Sequence, residues 1–308
     1  MATLRNLTTG ETRLVEPEHT FGRAPTSTAR LDASYVSAQH SSLRWTGSRW
    51  VLRDLGSRNG TYLNGERLAF GEERPARLGM KLTFGKPNDS PWELIDDGPP
   101  SVMAVPVDGG APVLLSGELL AVPSDDDPQV TIYRDSETPW LLERADDATT
   151  AITNSQTFMA GGRTWRFCCP EAVRDTMLAT AQHDLEVRHL QLFFSVSRDE
   201  EHVALRMTCG GLTFDMGARS HNYLLLTLAR RRIEDTADGL PETSCGWLYQ
   251  EDLARGLHAE PTQLNLEVYR LRQQFGTLGV ADAANIIERR PRTRQLRIGS
   301  PHLTVVRL

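Results

Sequence analysis

Short runs in which apolar and polar residues alternate dominate the first hundred residues. Ser42–Trp45 and Trp50–Asp54 have the two-residue period of strands, and Thr46-Gly47-Ser48-Arg49 between them predicts a hairpin. Asn59-Gly60 and Asn64-Gly65 mark two further tight turns, and Leu82–Phe84 and Trp92–Ile95 read as more strands. No helical period precedes residue 100, so many short strands at regular spacing predict a β-sandwich over residues 1–98. Residues 99–182 continue in short strands, with a short helix expected from Pro170 to about Ala181.

The period changes in the last third, residues 183–308. Leu190–Val196, Val203–Thr208 and Leu212–Asp215 read as strands. Tyr223, Leu224, Leu226, Thr227 and Ala229 then predict a buried helix over about 220–232, with Ser220 as N-cap. Tyr249–Leu257 predicts a second helix and Pro261–Phe275 a third, whose Leu264, Val268, Leu271 and Phe275 fall on one face. Ile286–Arg289 and Gln295–Ile298 predict a hairpin, and Val305-Val306 a last strand. The expected fold class is therefore multidomain: an all-β sandwich, a β-rich middle and an α+β C-terminal domain.

Ordered motifs sharpen the first domain. Phe21-Gly22-Arg23 is followed by Ser37-Ala38-Gln39-His40 and then by Asp54-Leu55-Gly56-Ser57-Arg58-Asn59-Gly60-Thr61-Tyr62-Leu63-Asn64-Gly65. In this order and spacing the set resembles the forkhead-associated (FHA) family. The resemblance implies a phosphothreonine-binding sandwich with Arg23, Ser37 and Asn59 at the ligand. Arg58 stands where many members have Ser or Thr and is a further phosphopeptide candidate. Gly22, His40 and Gly60 match positions that support the loops. The chemistry agrees: a phosphothreonine carries nearly two negative charges and three acceptor oxygens. Arg23 offers a charge-assisted fork, Ser37 a hydroxyl donor and Asn59 an amide for the ligand backbone.

A shift near ninety positions sets Trp50-Val51-Leu52-Arg53 against Trp140-Leu141-Leu142-Glu143, Asn64 against Asn154 and Leu68 against Phe158. At an offset of one hundred, Leu14-Val15 and Glu18 correspond to Leu114-Leu115 and Glu118. The ligand residues do not recur: Pro123 falls against Arg23 and Thr149 against Asn59. The middle is thus either a degenerate FHA-like sandwich without its ligand loops or an unrelated β segment; a different strand order would exclude the first.

The C-terminal order of short sheet, three helices and hairpin resembles the winged helix-turn-helix effector domain of bacterial response regulators. Leu264-Asn265-Leu266-Glu267-Val268-Tyr269-Arg270-Leu271-Arg272 looks like that family's recognition helix. The resemblance implies contacts to double-stranded DNA from Gln263, Asn265, Leu266, Tyr269, Arg270 and Arg272. Arg270 matches a base-reading position and Arg272 a phosphate-contacting one. Arg289, Arg290, Arg292 and Arg294 of the hairpin, with Arg297, are expected to track phosphates or enter the minor groove, since crowding five arginines into nine positions is costly without an anionic partner. Glu267 departs from the neutral or basic residue common there.

Composition trims the alternatives. The net charge of −6 argues against a protein coating nucleic acid everywhere but permits one basic face. Lys81 and Lys86 are the only lysines, so the basic charge is nearly all arginine, which suits bidentate phosphate contacts. No apolar run approaches a membrane span and the N-terminus lacks a signal peptide's apolar stretch. Cys168, Cys169, Cys209 and Cys245 fit neither a metal pair nor a disulfide framework and are expected as buried thiols in a cytoplasmic protein. His183, His189, His202, His221, His258 and His302 show no metal-ligand spacing. P-loop, kinase-loop and nucleophile–base motifs are absent, so no cofactor and no catalytic residue is expected. The resulting expectation is a bacterial, cytoplasmic phosphothreonine-binding transcriptional regulator downstream of a Ser/Thr kinase. Its partners would be a phosphorylated kinase, a kinase substrate or another copy of the chain, and phosphate-driven homodimerisation is one route to DNA. The alternative is a signalling adaptor whose winged helix contacts protein.

Overall fold

The computed structural model describes residues 1–134, 140–144, 149–169, 185–290 and 293–308. Met1–Val102 belong to one compact unit; Met103–Phe167 and the described residues from 185 onward belong to a second. The helix expected between Pro170 and Ala181 lies outside the described residues.

The first unit is a sandwich of two sheets. One sheet contains β1 (Thr3–Asn6), β2 (Thr12–Leu14), β7 (Thr61–Leu63), β8 (Glu66–Arg67), β10 (Lys81–Phe84) and β11 (Trp92–Asp96), in the order β2-β1-β11-β10-β7-β8. The other contains β3 (Glu18–Gly22), β4 (Ala29–Arg30), β5 (Ser41–Trp45), β6 (Trp50–Asp54) and β9 (Glu73–Ala76), in the order β4-β3-β5-β6-β9. Alternation makes the core. Leu4, Leu82, Phe84, Trp92 and Leu94 of the first sheet meet Phe21, Leu43, Trp50 and Leu52 of the second. The outward positions of β5 and β6 carry Arg44 and Arg53, both exposed. The expected hairpin is the β5–β6 pair, with Trp45 opposite Trp50.

The second unit begins with two four-stranded sheets. β12 (Met103–Pro106), β13 (Val113–Leu114), β18 (Thr157–Ala160) and β19 (Arg163–Cys168) form the order β13-β12-β19-β18. β14 (Leu119–Ser124), β15 (Asp127–Arg134), β16 (Trp140–Arg144) and β17 (Thr149–Ala151) form a meander in sequence order. Removing β4, β7 and β8 from the first sandwich leaves β2-β1-β11-β10 and β3-β5-β6-β9, which is the same strand order. The different order that would exclude a reduced FHA-like sandwich is therefore not what the chain adopts. The sequence offset shrinks along the alignment, from about one hundred at β3/β14 to ninety at Trp50/Trp140 and to about seventy-five at β10/β18. Shortened connections explain why a single shift captured only part of it.

The unit continues with a sheet of β20 (Gln191–Val196), β21 (Val203–Cys209), β22 (Leu212–Ala218) and β26 (His302–Arg307), in which β26 runs parallel to β20. Against it pack α1 (Asn222–Ala237), α2 (Gln250–Gly256) and α3 (Pro261–Thr277). The hairpin is β24 (Ile287–Arg290) with β25 (Gln295–Ile298), and β23 (Leu248–Tyr249) joins its edge. The residue flanking α1 is His221, not Ser220. The Asn222 amide donates to the Val203 and Gly217 carbonyls, which pins the helix start into the sheet and displaces the expected cap. The helix also runs to Ala237, past the predicted 232, because Arg232 and Asp235 are buried and partnered rather than solvated. All four cysteines are buried. Among the described residues, no helix is long and apolar enough to cross a membrane, and no group of His, Cys, Asp and Glu could hold a metal ion.

Candidate functional site

Three loops meet at one end of the first sandwich. The segment after β3 runs alongside the Ser37 segment: the Arg23 N–H donates to the Ser37 carbonyl at 2.9 Å and the Ala24 N–H to the Ala38 carbonyl at 3.0 Å. Gly22 is required by this approach, since a Cβ there would lie 2.1 Å from the Ala38 carbonyl oxygen. The Arg23 side chain is exposed, and only its Nε is held, at 3.4 Å from the Val36 carbonyl. Among the described residues Arg23 and Arg58 form no ion pair. Ser37 Oγ accepts the Arg58 N–H at 3.1 Å, which leaves the hydroxyl proton to donate elsewhere. Asn59 Nδ2 donates to the Tyr35 carbonyl at 2.8 Å, tying the third loop to the second.

His40 is the joint beneath these loops. Its Nδ1 accepts the Ser37 N–H at 3.1 Å, so Nε2 carries the proton and donates to the Gly60 carbonyl at 3.1 Å. Burial lowers its pKa, outweighing the Gly60 hydrogen bond and the nearby Asp54 charge, and keeps the ring in the neutral form this double role needs. Gly60 has φ +88°, and a Cβ there would collide with the Arg67 side chain.

Sequence reasoning missed the organiser of the third loop. Asp54 ends β6 and accepts four hydrogen bonds: from the Gly56 and Ser57 N–H groups at 2.9 and 3.0 Å, from Ser57 Oγ at 2.6 Å and from Thr61 Oγ1 at 2.7 Å. Burial alone would raise its pKa, but these donors together lower it. Ser57 Oγ in turn accepts the Gly60 N–H at 3.0 Å, which fixes the turn that presents Asn59. An Asp two residues before a Gly-Ser pair is a recognisable turn signal. Lys86 was also missed; its Nζ sits 4.5 Å over the Tyr35 ring, beside the carbonyl that holds Asn59.

The C-terminal candidates do not form one open surface. On α3, Asn265, Tyr269 and Arg272 make a stripe at i, i+4 and i+7 beneath the β14–β16 sheet. Tyr269 is 2% exposed and its hydroxyl donates to Asp125. Arg272, 3% exposed at its side chain, forms a bidentate pair with Glu143 at 2.8 and 3.2 Å. Arg289 reaches the same carboxylate at 2.8 Å and donates to Asn265 Oδ1 at 3.0 Å. Tyr133 also donates to Glu143, at 3.2 Å. Burial pushes the Glu143 pKa up, yet the two guanidinium groups win and bring it to about 2. The expectation that Tyr269, Arg272 and Arg289 face an open DNA surface is therefore corrected: they are turned into a buried polar contact.

Leu266 is half-buried, while Gln263 and Arg270 remain exposed, Arg270 lying 3.8 Å from Glu267. In the hairpin, Arg290 and Arg297 clamp the Trp247 ring from 4.5 and 4.6 Å. Arg290 also donates to the Thr243 carbonyl and Arg297 pairs with Glu288. These internal partners account for the crowding of Arg290 and Arg297 without an anionic ligand. Arg294 is exposed with φ +51° at the hairpin turn, and Arg292 lies outside the described residues.

Comparison with known proteins bears on the first site. Residues 19–85 match the FHA domain. The FHA domain-containing protein FhaB of Mycobacterium tuberculosis is 38% identical over 80 residues, which is 26% of this chain and 50% of FhaB. FhaB of Mycolicibacterium smegmatis is 40% identical over 66 residues, 21% of this chain and 41% of that protein. The chain thus spans about half the length of the curated relatives it matches. The FHA domain of FhaA, solved in complex with the intracellular domain of Rv3910, is 29% identical and covers 30% of this chain and 98% of that one, with a TM-score of 0.27. The sandwich that carries Arg23, Ser37 and Asn59 is an FHA domain.

Proposed function

We propose that this protein is a phosphothreonine-peptide-binding regulator: its FHA pocket captures a phosphorylated partner, and its last third, residues 183–308, read as a winged helix, contacts DNA. The observation that carries the first half is Arg23, an exposed guanidinium without a carboxylate partner among the described residues, whose backbone pairs with that of Ser37 and whose Nε donates to the Val36 carbonyl. A phosphate dianion there gains a charge-assisted fork and a short O–H donor. Asn59, with Nδ2 engaged on Tyr35, keeps Oδ1 as acceptor for a ligand backbone N–H. Arg58 and Lys86 add positive charge at the rim. The phosphorylated partner is a Ser/Thr kinase, a substrate of one, or another copy of the chain.

The DNA half rests on the order of sheet, three helices and hairpin and on the exposed Gln263, Arg270 and Arg294. A second reading, a signalling adaptor whose last third binds protein, is favoured by one observation: Tyr269, Arg272 and Arg289 already contact protein, within this chain. A screen of the intact protein against matched phosphothreonine, phosphoserine and unmodified peptide libraries, with selection from random DNA duplexes on the same sample, separates the cases. Phosphothreonine-dependent capture with DNA enrichment supports the regulator. Capture without DNA enrichment, with and without peptide at physiological salt, leaves the adaptor. Equal capture of all libraries rejects the pocket.

A further inference from the structure

The β14–β16 sheet has lost the polar outer face of the first sandwich. At the equivalent strands of the FHA domain, the outward positions of β5 and β6 include Arg44 and Arg53, both exposed. In the second sandwich the outward positions are Leu119, Ala121, Thr131, Tyr133, Leu141 and Glu143. Leu120, Val122, Ile132, Trp140 and Leu142 fill the inward face and are also buried. A sheet buried on both faces needs an occupant on each. The outer occupant here is the Tyr269 stripe of α3, with Ala284 beside it. Trp50 and Trp140 mark the same register, so Glu143 stands where the FHA domain has the solvated Arg53.

We propose that the second sandwich is a pseudo-FHA module converted into an intramolecular lid over α3, in which the Glu143 carboxylate occupies the place of a DNA phosphate between Arg272 and Arg289. This rests on the reading of α3 as a DNA-contacting helix. The chemistry of the contact suits a separable surface. Glu143, Arg272 and Arg289 are all costly to desolvate, and an apolar cluster of the same volume packs a permanent interface as well or better. When the faces part, by contrast, each of these groups is readily hydrated. Gln263 and Arg270 of α3 stay exposed, so the lid closes only part of the helix's polar surface and leaves a first contact for DNA. DNA and the second sandwich then compete for one set of guanidinium groups, and opening the lid raises DNA affinity.

The test uses the full chain with Glu143→Arg, which sets three guanidinium groups against one another, and Glu143→Gln, which keeps the volume and removes the charge. The probe is a labelled random-sequence DNA duplex at low salt, read by anisotropy, with hydrogen exchange followed over 127–134 and 261–277. Glu143→Arg is expected to bind DNA at least roughly tenfold tighter, within the hundredfold or more by which losing one partner of a buried ion pair can shift a docked population. Glu143→Gln is expected to fall between it and the parent, and both variants to exchange faster in both segments. If Glu143→Arg fails to fold, Glu143→Gln alone decides by the same two readouts. Equal DNA affinity in parent and variants overturns the lid and leaves the DNA reading standing. Faster exchange with no DNA binding by any form rejects the DNA reading and, with it, the lid's purpose. Unchanged exchange and unchanged affinity overturn the lid on its own ground.

Discussion

Two buried histidines, His19 and His40, make the stability of the first sandwich depend on pH. His19 is buried against Phe21, its Nδ1 accepting the Glu16 N–H, and burial followed by the nearby Arg13 brings its pKa down to about 3. In the unfolded chain the same ring titrates near 6.5. The folded state therefore binds fewer protons between those values, so stability is complete above about pH 6.5 and is lost as the pH falls toward 3. His40 shifts in the same direction. A single such histidine contributes a slope of about 1.4 kcal/mol per pH unit within the window. Denaturant unfolding followed through the tryptophans should show the FHA domain weakening steadily from pH 6.5 to 4, with a shallower fall in His19→Gln. A flat profile over that range would contradict the burial argument. At Asp54 the expected cost is local order. Asp54→Ala strands the Ser57, Thr61 and backbone donors, with an expected loss of about 2–3 kcal/mol. Phosphopeptide affinity should fall too, because the turn that presents Asn59 is no longer fixed.

At the scale of elements, the strands and helices follow from their apolar periods, and the departures have local causes. The β5–β6 hairpin and the apolar face of α3 at Leu264, Val268, Leu271 and Phe275 are visible as patterns because apolar burial sets them; the second buried face of α3, at Tyr269 and Arg272, is polar and leaves no such pattern. Arg23, Ser37 and Asn59 were legible as an ordered motif, and the fold brings their loops together. What the sequence concealed lies in partners distant along the chain. Glu143 looked like one more charged residue in a strand, and Arg272 like a residue for DNA; 129 positions separate the two halves of one buried pair. The hairpin arginines were likewise countable but not assignable, since Trp247, Thr243 and Glu288 take up Arg290 and Arg297 only after folding. Gly22 gives an element-scale prediction. Any side chain there must push the Ala38 carbonyl away, so Gly22→Ala should cost about 1–3 kcal/mol and weaken peptide binding together with stability. Thermal unfolding and peptide titration on the same variant check both; a stable variant with full affinity would mean the two loops do not need this approach.

For the whole molecule, one strand order occurs twice. The first sandwich has β4, β7 and β8 in addition, and the loops among them carry Arg23, Ser37 and Asn59. The second sandwich lacks those strands, and its outer face packs against a helix of the same chain. On the proposed reading, such a molecule would recognise a phosphate at Arg23 and hold a carboxylate in place of one at Arg272 and Arg289. On either reading the phosphate pocket comes first, because Arg23 is exposed, is in no ion pair among the described residues and lies on a segment paired with that of Ser37. The most direct measurement is isothermal titration of the intact protein with a phosphothreonine peptide chosen from the library and with its unmodified twin, repeated on Arg23→Ala. The account predicts binding only to the phosphorylated form, and a loss of about 2 kcal/mol or more, at least some thirtyfold, in Arg23→Ala with the circular dichroism unchanged. Equal affinity for the two peptides, or phosphopeptide binding that survives Arg23→Ala, would contradict it.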